Sequence, residues 1–371
     1  MTPAQLVLDR AGIDRLIGAL SARGYRVVGP TVRDGAIVYG EVNATGDLPV
    51  GWQDHQEAAT YRLTRREDEA LFGYVVGPQS PKTYFHPAEA VVWAGERTRQ
   101  GFAAVPPTAP PRYALVGLRP CELAAIAIQD RVFLGGERDA VYGGRRDPAF
   151  LVAVNCTGPG GTCFCASMGT GPRAGTGFDI ALTEVLDGPS HYFVAEAGSE
   201  AGSALLAEIG ATEAKKAQVK AADALLVKAT GQMGREMRTE GLADLLRQSL
   251  EDPHWQEVAK RCLTCANCTL VCPTCFCANV EDTTDLTGRH ARRVRRWDSC
   301  FNYEFSLIHG GPHRASAAAR YRQWMTHKLA WWFDQFGSSG CVGCGRCITW
   351  CPVGIDITAE AAAIRGSQEV A

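Results

Sequence analysis

Eight cysteines in the last third of the chain form two copies of one pattern: Cys262-x2-Cys265-x2-Cys268-x3-Cys272-Pro273, and Cys341-x2-Cys344-x2-Cys347-x3-Cys351-Pro352. This is the ligand run of a protein holding two 4Fe-4S clusters. A cubane takes four thiolates on alternate corners; two-residue gaps wrap a loop around three of them, and the proline after the fourth turns the chain away. Structural zinc prefers two Cys pairs separated by a longer loop and has no use for a third Cys at the same short gap. The chemistry on offer is one-electron transfer. In two-cluster ferredoxins the fourth Cys of each run ligates the other run's cluster. That pattern assigns Cys262, Cys265, Cys268 and Cys351 to one cluster and Cys341, Cys344, Cys347 and Cys272 to the other, although spacing alone leaves the exchange open.

A second constellation lies upstream. Cys121 follows the apolar run Tyr113 to Leu118 and opens an expected helix, and Cys156 follows the apolar run Ala149 to Asn155. If both runs are strands of one parallel sheet, both thiols emerge at its carboxyl edge, where open α/β folds build their sites. Cys163 and Cys165 follow in a glycine-rich loop. Three uses fit these four residues: a third 4Fe-4S cluster, which is the favoured reading, a reversible dithiol, or buried core thiols. The peptide Thr162-Cys-Phe-Cys-Ala166 recurs as Thr274-Cys-Phe-Cys-Ala278. Cys275, Cys277 and Cys300 have no assigned partner.

The elements that must position these residues follow from composition and periodicity. A chain of 371 residues has room for two or three domains. Residues 1–110 read as a mixed α/β module, with a helix near Leu6 to Leu20 and strands at Ala36 to Val42, Tyr61 to Thr64 and Leu71 to Val76. A proline-rich connector, Val105 to Arg112, leads to a second α/β module over 111–255, with strands at the two runs above and at Phe178 to Leu182 and Tyr192 to Glu196. From Thr212 to about Lys260 the pattern is mostly helical. Residues 256–371 read as a mainly helical, ferredoxin-like dicluster domain. The runs stand 68 residues apart (273–340), and Tyr321, Met325, Leu329, Trp332 and Phe336 recur at helical spacing in that insert as a core stripe.

The 38 Lys and Arg nearly balance 40 Asp and Glu, so no global pull toward nucleic acid is expected. The basic run Arg292 to Arg296 reads first as a solvated face and second as a device for raising a cluster potential or docking an acidic partner. Asp9, Arg10, Asp14 and Arg15 break any signal-peptide core, no stretch suits a membrane span, and cluster thiolates need a reducing compartment, so a cytoplasmic protein is expected. Neither Gly158-Pro-Gly-Gly161 nor the glycines of the second run follow the order of a dinucleotide fingerprint.

Several blocks resemble one family: Leu71-Phe-Gly-Tyr-Val-Val-Gly77, Gly117-Leu-Arg-Pro-Cys121, Val154-Asn-Cys156 through Gly171, the two cysteine runs, and Tyr321-Arg-Gln-Trp-Met-Thr-His-Lys328. They resemble the beta subunit of cytosolic nickel-iron sulfhydrogenases and its relative, the A-type iron-sulfur subunit of anaerobic sulfite reductase. The resemblance implies a non-catalytic electron-transfer subunit that couples hydrogen to NAD(P). FAD and NAD(P) would then sit on a gamma-type partner, with small and large nickel-iron hydrogenase subunits as further partners; a sirohaem subunit replaces these in the sulfite reductase. A self-contained sulfur or polysulfide oxidoreductase using the central cysteines is the rival from another class, and a structural metal scaffold is a third.

Overall fold

Short apolar runs on both sides of the proline-rich connector pair into one mixed sheet of eight strands in the computed structural model, which describes residues 5–370 apart from Val76 and Pro107. Across the sheet the strands are Thr212–Glu213, Leu6–Asp9, Ser190–Ala197, Ile180–Asp187, Phe150–Val154, Tyr113–Leu118, Arg26–Arg33 and Ala36–Glu41. The four consecutive strands from Ile180–Asp187 to Arg26–Arg33 are mutually parallel. Because Arg26 to Val28 pair with Tyr113 to Leu115, segments before and after residue 110 share one hydrogen-bonded ladder. Phe150, Leu151, Val152, Ala153 and Val154 are all buried, which is why that strand lacks the apolar/polar alternation of a half-exposed one. Helix Arg10–Ala22 packs Ile13, Leu16, Ile17 and Leu20 into the same core. Each such side chain contributes about 1.5–3 kcal/mol on leaving water. Asp9 caps the helix by accepting the Gly12 N–H at 2.8 Å.

The block at residues 71–75 is not the strand that its apolar content predicts; Val76 lies outside the described residues. Its backbone groups are satisfied by buried charged side chains instead of a ladder. The Glu184 carboxylate accepts the N–H groups of Leu71 and Phe72 at 2.6 and 2.8 Å, and the Arg119 guanidinium donates to the carbonyls of Phe72 and Tyr74.

The helical stretch expected after Thr212 is three helices, Lys216–Thr230, Leu242–Gln248 and His254–Arg261, with Gly231 ending the first and Gly241 and Pro253 standing just before the second and third. The insert between the cysteine runs departs further from expectation. Its first half is a hairpin, Ala278–Thr284 with His290–Trp297, that adds to strands Glu89–Thr98 and Gly101–Ala104 to make a four-stranded sheet. Cross-strand charge pairs favour it. Arg293 meets Asp282 at 2.7 Å, Arg296 meets Glu281 and Glu89 at 2.7 and 2.9 Å, and Arg295 meets Asp139. The basic run is therefore largely an ion-paired strand face, and its exposed pairs each add about 0–1 kcal/mol. The second half of the insert is helical as expected, Ala317–Thr326 and Trp332–Phe336 joined by a π-helical turn, His327–Trp331. Tyr321, Met325, Leu329 and Trp332 are buried core residues. Among the described residues no helix is long and apolar enough to cross a membrane.

Candidate metal centres

The two cysteine runs trace the same backbone. Thr264 and Ala266 of the first have φ of 51° and 66°, and Gly343 and Gly345, at the matching places in the second, have φ of 65° and 72°. Each run then enters a one-turn helix, Asn267–Leu270 or Arg346–Thr349. In both, the N–H two residues on points at the first sulfur: Thr264 to Cys262 Sγ at 3.4 Å and Gly343 to Cys341 Sγ at 3.5 Å. A left-handed conformation at a residue with a Cβ costs about 1–2 kcal/mol. The first run accepts this twice, where the second has glycine.

Cys262, Cys265, Cys268 and Cys351 line one cavity, which Cys347 of the second run also borders, with Leu263, Phe301, Tyr321, Trp324 and Ile355 as apolar walls. The fourth thiol comes from the other run. In the second set Cys341, Cys344 and Cys347 face one another, and Cys272 from the first run acts on both Cys341 and Cys347. The central cysteines are also drawn together. Strands Tyr113–Leu118 and Phe150–Val154 are parallel neighbours, so Cys121 and Cys156 leave the same sheet edge. Cys165 faces Cys156, Cys121 faces Cys165, and Cys163 faces Cys156 and Cys165. This set abuts the second: Cys163 Sγ lies 4.0 Å from the Cys344 carbonyl oxygen, and the Cys344 thiol acts on Cys121 and Cys165.

Among the described residues no group of three His, Cys, Asp or Glu side chains is arranged to hold a single metal ion. Tetrahedral zinc needs its ligands to converge on one point, whereas a cubane offers a separate iron to each thiolate. Thiols ringing an apolar cavity suit the cubane. So do the N–H groups aimed at sulfur, which include Ile355 to Cys351 Sγ at 3.3 Å.

Burial pushes the Cys121, Cys163, Cys268 and Cys347 thiols well up, and Cys341 and Cys165 to about 12. Burial thus favours the protonated thiol in these groups, and a metal bound there would have to displace the protons. Buried cations offset the charge that a thiolate set brings. Lys328, in the π-helical turn, is 4 % exposed, donates to Thr274 Oγ1 at 2.8 Å and faces the Cys272, Cys275 and Cys341 sulfurs. Arg119 faces Cys156. Arg346, between Cys344 and Cys347 in sequence, is 2 % exposed and meets Glu122 at 2.6 Å. Glu122 also accepts from Tyr39 Oη at 2.5 Å and from the Arg119 N–H at 2.9 Å. Sequence reasoning passed over Arg119, Glu122, Lys328 and Arg346. Two of them, Glu122 beside Cys121 and Arg346 inside a ligand run, carry a signal in their position.

The repeated Thr-Cys-Phe-Cys-Ala peptide has a structural account. Both copies dock on the loop that carries the second run: Phe164 N–H donates to the Gly343 carbonyl at 2.8 Å, and Thr274 Oγ1 donates to the Gly340 carbonyl at 2.7 Å. Cys275, Cys277 and Cys300 lie on a different cavity. Hydrogen bonding from Cys275 holds the Cys272 thiol well below the ordinary range, and Lys328 and Thr274 act in the same direction.

An α/β body bearing paired cysteine runs, with the fourth thiol exchanged across one cavity, defines an iron-sulfur protein of the dicluster class. Residues 261–355 match the 4Fe-4S dicluster domain family. Over 251 residues the chain is 36% identical to sulfhydrogenase 2 subunit beta of Pyrococcus furiosus, a match covering 66% of this chain and 72% of that protein. The chain belongs to the family of beta, iron-sulfur subunits of sulfhydrogenases.

Proposed function

We propose that this chain is the iron-sulfur electron-transfer subunit of a cytoplasmic nickel-iron hydrogenase complex that couples hydrogen to NAD(P). FAD and NAD(P) would be held by a gamma-type partner, and hydrogen would be activated on separate small and large subunits. The observation that carries the reading is the contiguity of three thiol sets, from the central cysteines past Cys344 to the second run, and through the exchanged Cys272 and Cys351 to the first. A 4Fe-4S cluster supplies one-electron transfer with little change in bonding. Cys262, Cys265, Cys268 and Cys351 would hold one, Cys341, Cys344, Cys347 and Cys272 a second, and Cys121, Cys156, Cys163 and Cys165 a third. The chain's remaining work is to exclude water from these sites and set their charge environment through Lys328, Arg119 and Arg346. A reducing compartment is supported by the two cysteine runs, whose thiolates a cluster would need in reduced form.

The test is anaerobic purification of the native complex, with iron, sulfide, nickel, flavin and sirohaem counted per chain, and the same counts made on this chain by itself. About twelve irons in the isolated chain supports three cubanes, and about eight removes the central set. Sirohaem in place of nickel would overturn the hydrogenase assignment in favour of the sulfite reductase.

A further inference from the structure

Outside the three thiol sets, two cysteines face each other. Cys277 immediately precedes strand Ala278–Thr284, and Cys300 lies just beyond strand His290–Trp297, whose Trp297 pairs with Ala278. The ladder runs one step further, with Asp298 N–H donating to the Cys277 carbonyl at 2.9 Å. Both line one cavity, and each is first among the groups that act on the other's thiol. Thiols so close at the end of a paired hairpin can join with little backbone movement.

Both are partly exposed, on the wall of an open cavity between this hairpin and the π-helical turn. The lining includes Arg314 and Lys328 and no Asp or Glu. Arg314 Nε is buried without a hydrogen-bond partner. The nearby Asp298 carboxylate is engaged by the Ser299 N–H and by Asn302 at 2.7 and 3.1 Å. Phe276, Trp332 and Phe336 supply apolar walls. A cavity with two cations, an unsatisfied guanidinium N–H and a thiol pair suits an anion that carries sulfur.

We propose that Cys277 and Cys300 form a redox-active dithiol whose substrate, taken up in this cavity, is a small disulfide bearing an anionic group. The Cys277 sulfur gives its proton to water and attacks one sulfur of RS–SR; the S–S bond breaks, RS⁻ leaves and takes up a proton, and a mixed disulfide remains. The Cys300 sulfur, losing its own proton, then attacks Cys277, forming the Cys277–Cys300 bond and releasing the second RSH. Dithiol and disulfide thus exchange two electrons and two protons. Return to the dithiol takes two electrons and two protons; only this return rests on the electron relay proposed above.

The exchange is testable on the full chain, purified anaerobically with its metal, by adding dithiodiglycolate (anionic) or bis(2-hydroxyethyl) disulfide (neutral), alkylating, and mapping peptides by mass. Expected are about two thiols released per chain and a linked Cys277–Cys300 peptide. Cys300→Ser should release about one thiol and trap the probe on Cys277, with iron content unchanged. Arg314→Gln should slow the anionic probe about tenfold and leave the neutral one alone. Both thiols still free after exposure, in protein that keeps its iron, would overturn the proposal. Iron loss in Cys300→Ser would overturn it differently, by making Cys300 a metal ligand. Equal slowing of both probes in Arg314→Gln would overturn the anionic preference. Because iron and peptide mapping are read separately, failure of the cluster assignment and failure of the dithiol are distinguishable.

Discussion

The first and second cysteine runs have the same ligand spacing and the same left-handed residues, yet they sit in opposite surroundings. In the first, Leu263 and Leu270 are 60 % and 41 % exposed and Cys265 is exposed. Their counterparts in the second, Val342 and Thr349, are 2 % and 3 % exposed. The Asn267 side chain of the first run donates to the Trp350 carbonyl at 3.1 Å. Arg346, at the matching place, is locked to Glu122 in the interior. Glycine is optional in one loop and required in the other: a Cβ on Gly345 would stand 2.3 Å from the Thr162 carbonyl oxygen, and one on Gly343 2.6 Å from that of Phe164. The same cysteine spacing is thus set at an outer station facing solvent and at an inner one wedged against the central cysteines.

That contrast is open to attack at several points, the largest effect first. Cys344→Ser should remove about four irons and also disturb the central set it touches, giving a chain with a lowered melting temperature. Cys265→Ser should remove about four irons from the outer site alone. Equal structural damage in the two variants, read by iron content and thermal melting, would show that the runs are equivalent after all. Next is the loop backbone. Gly345→Ala forces Cβ into a carbonyl and should destabilise by several kcal/mol or prevent folding, whereas Ala266→Gly relieves a left-handed alanine and should stabilise by about 0.5–1 kcal/mol. Thermal unfolding of the metal-loaded proteins decides, and a stable Gly345→Ala protein refutes the packing argument.

Glu122→Leu should cost about 3–5 kcal/mol, because it leaves the buried Arg346 guanidinium without its counter-charge. Asn267→Ala, at the place matching Arg346 in the outer run, should cost less than about 1 kcal/mol. Denaturant unfolding compares them; similar losses would deny the inner run its special anchoring. The smallest effect is electrostatic. Lys328→Met removes a buried cation beside Cys272 and Cys341 and should move the inner site's reduction potential to more negative values. Arg320→Met, near Cys262 of the outer run, should move its site less, since solvent screens that charge better. Potentiometric titration followed by electron paramagnetic resonance would measure both, and an unmoved inner potential counts against Lys328 as a tuning residue.

Much of this was legible in the residues. The cysteine spacing pointed to iron-sulfur chemistry, which the dicluster family match supports, and Cys262, Cys265, Cys268 and Cys351 line one cavity together with Cys347. Strands Tyr113–Leu118 and Phe150–Val154 could be read because both are short, fully apolar and bounded, as buried parallel strands are. Leu71 to Val75 misled for the opposite reason: it is apolar and buried, but its hydrogen bonds go to Glu184 and Arg119, far away in sequence. The hairpin after the first run was missed because its carboxylates (Glu281, Asp282) and arginines (292–293 and 295–296) stand in adjacent pairs and give no alternating apolar face, and pairing with Glu89–Thr98 builds it into a sheet.

By itself the sequence determined the iron-sulfur class, through thiol spacing and proline placement, since ligand spacing within one loop is a local property. It also determined the family, through motifs spread along the chain. Tertiary structure alone decided which run is inner and which outer, that Arg346 finds Glu122 224 residues away, and that Cys277 meets Cys300. Those outcomes depend on burial and on contacts between distant segments, and the cost of an unpaired buried charge or a misplaced Cβ is set by neighbours that no local pattern names.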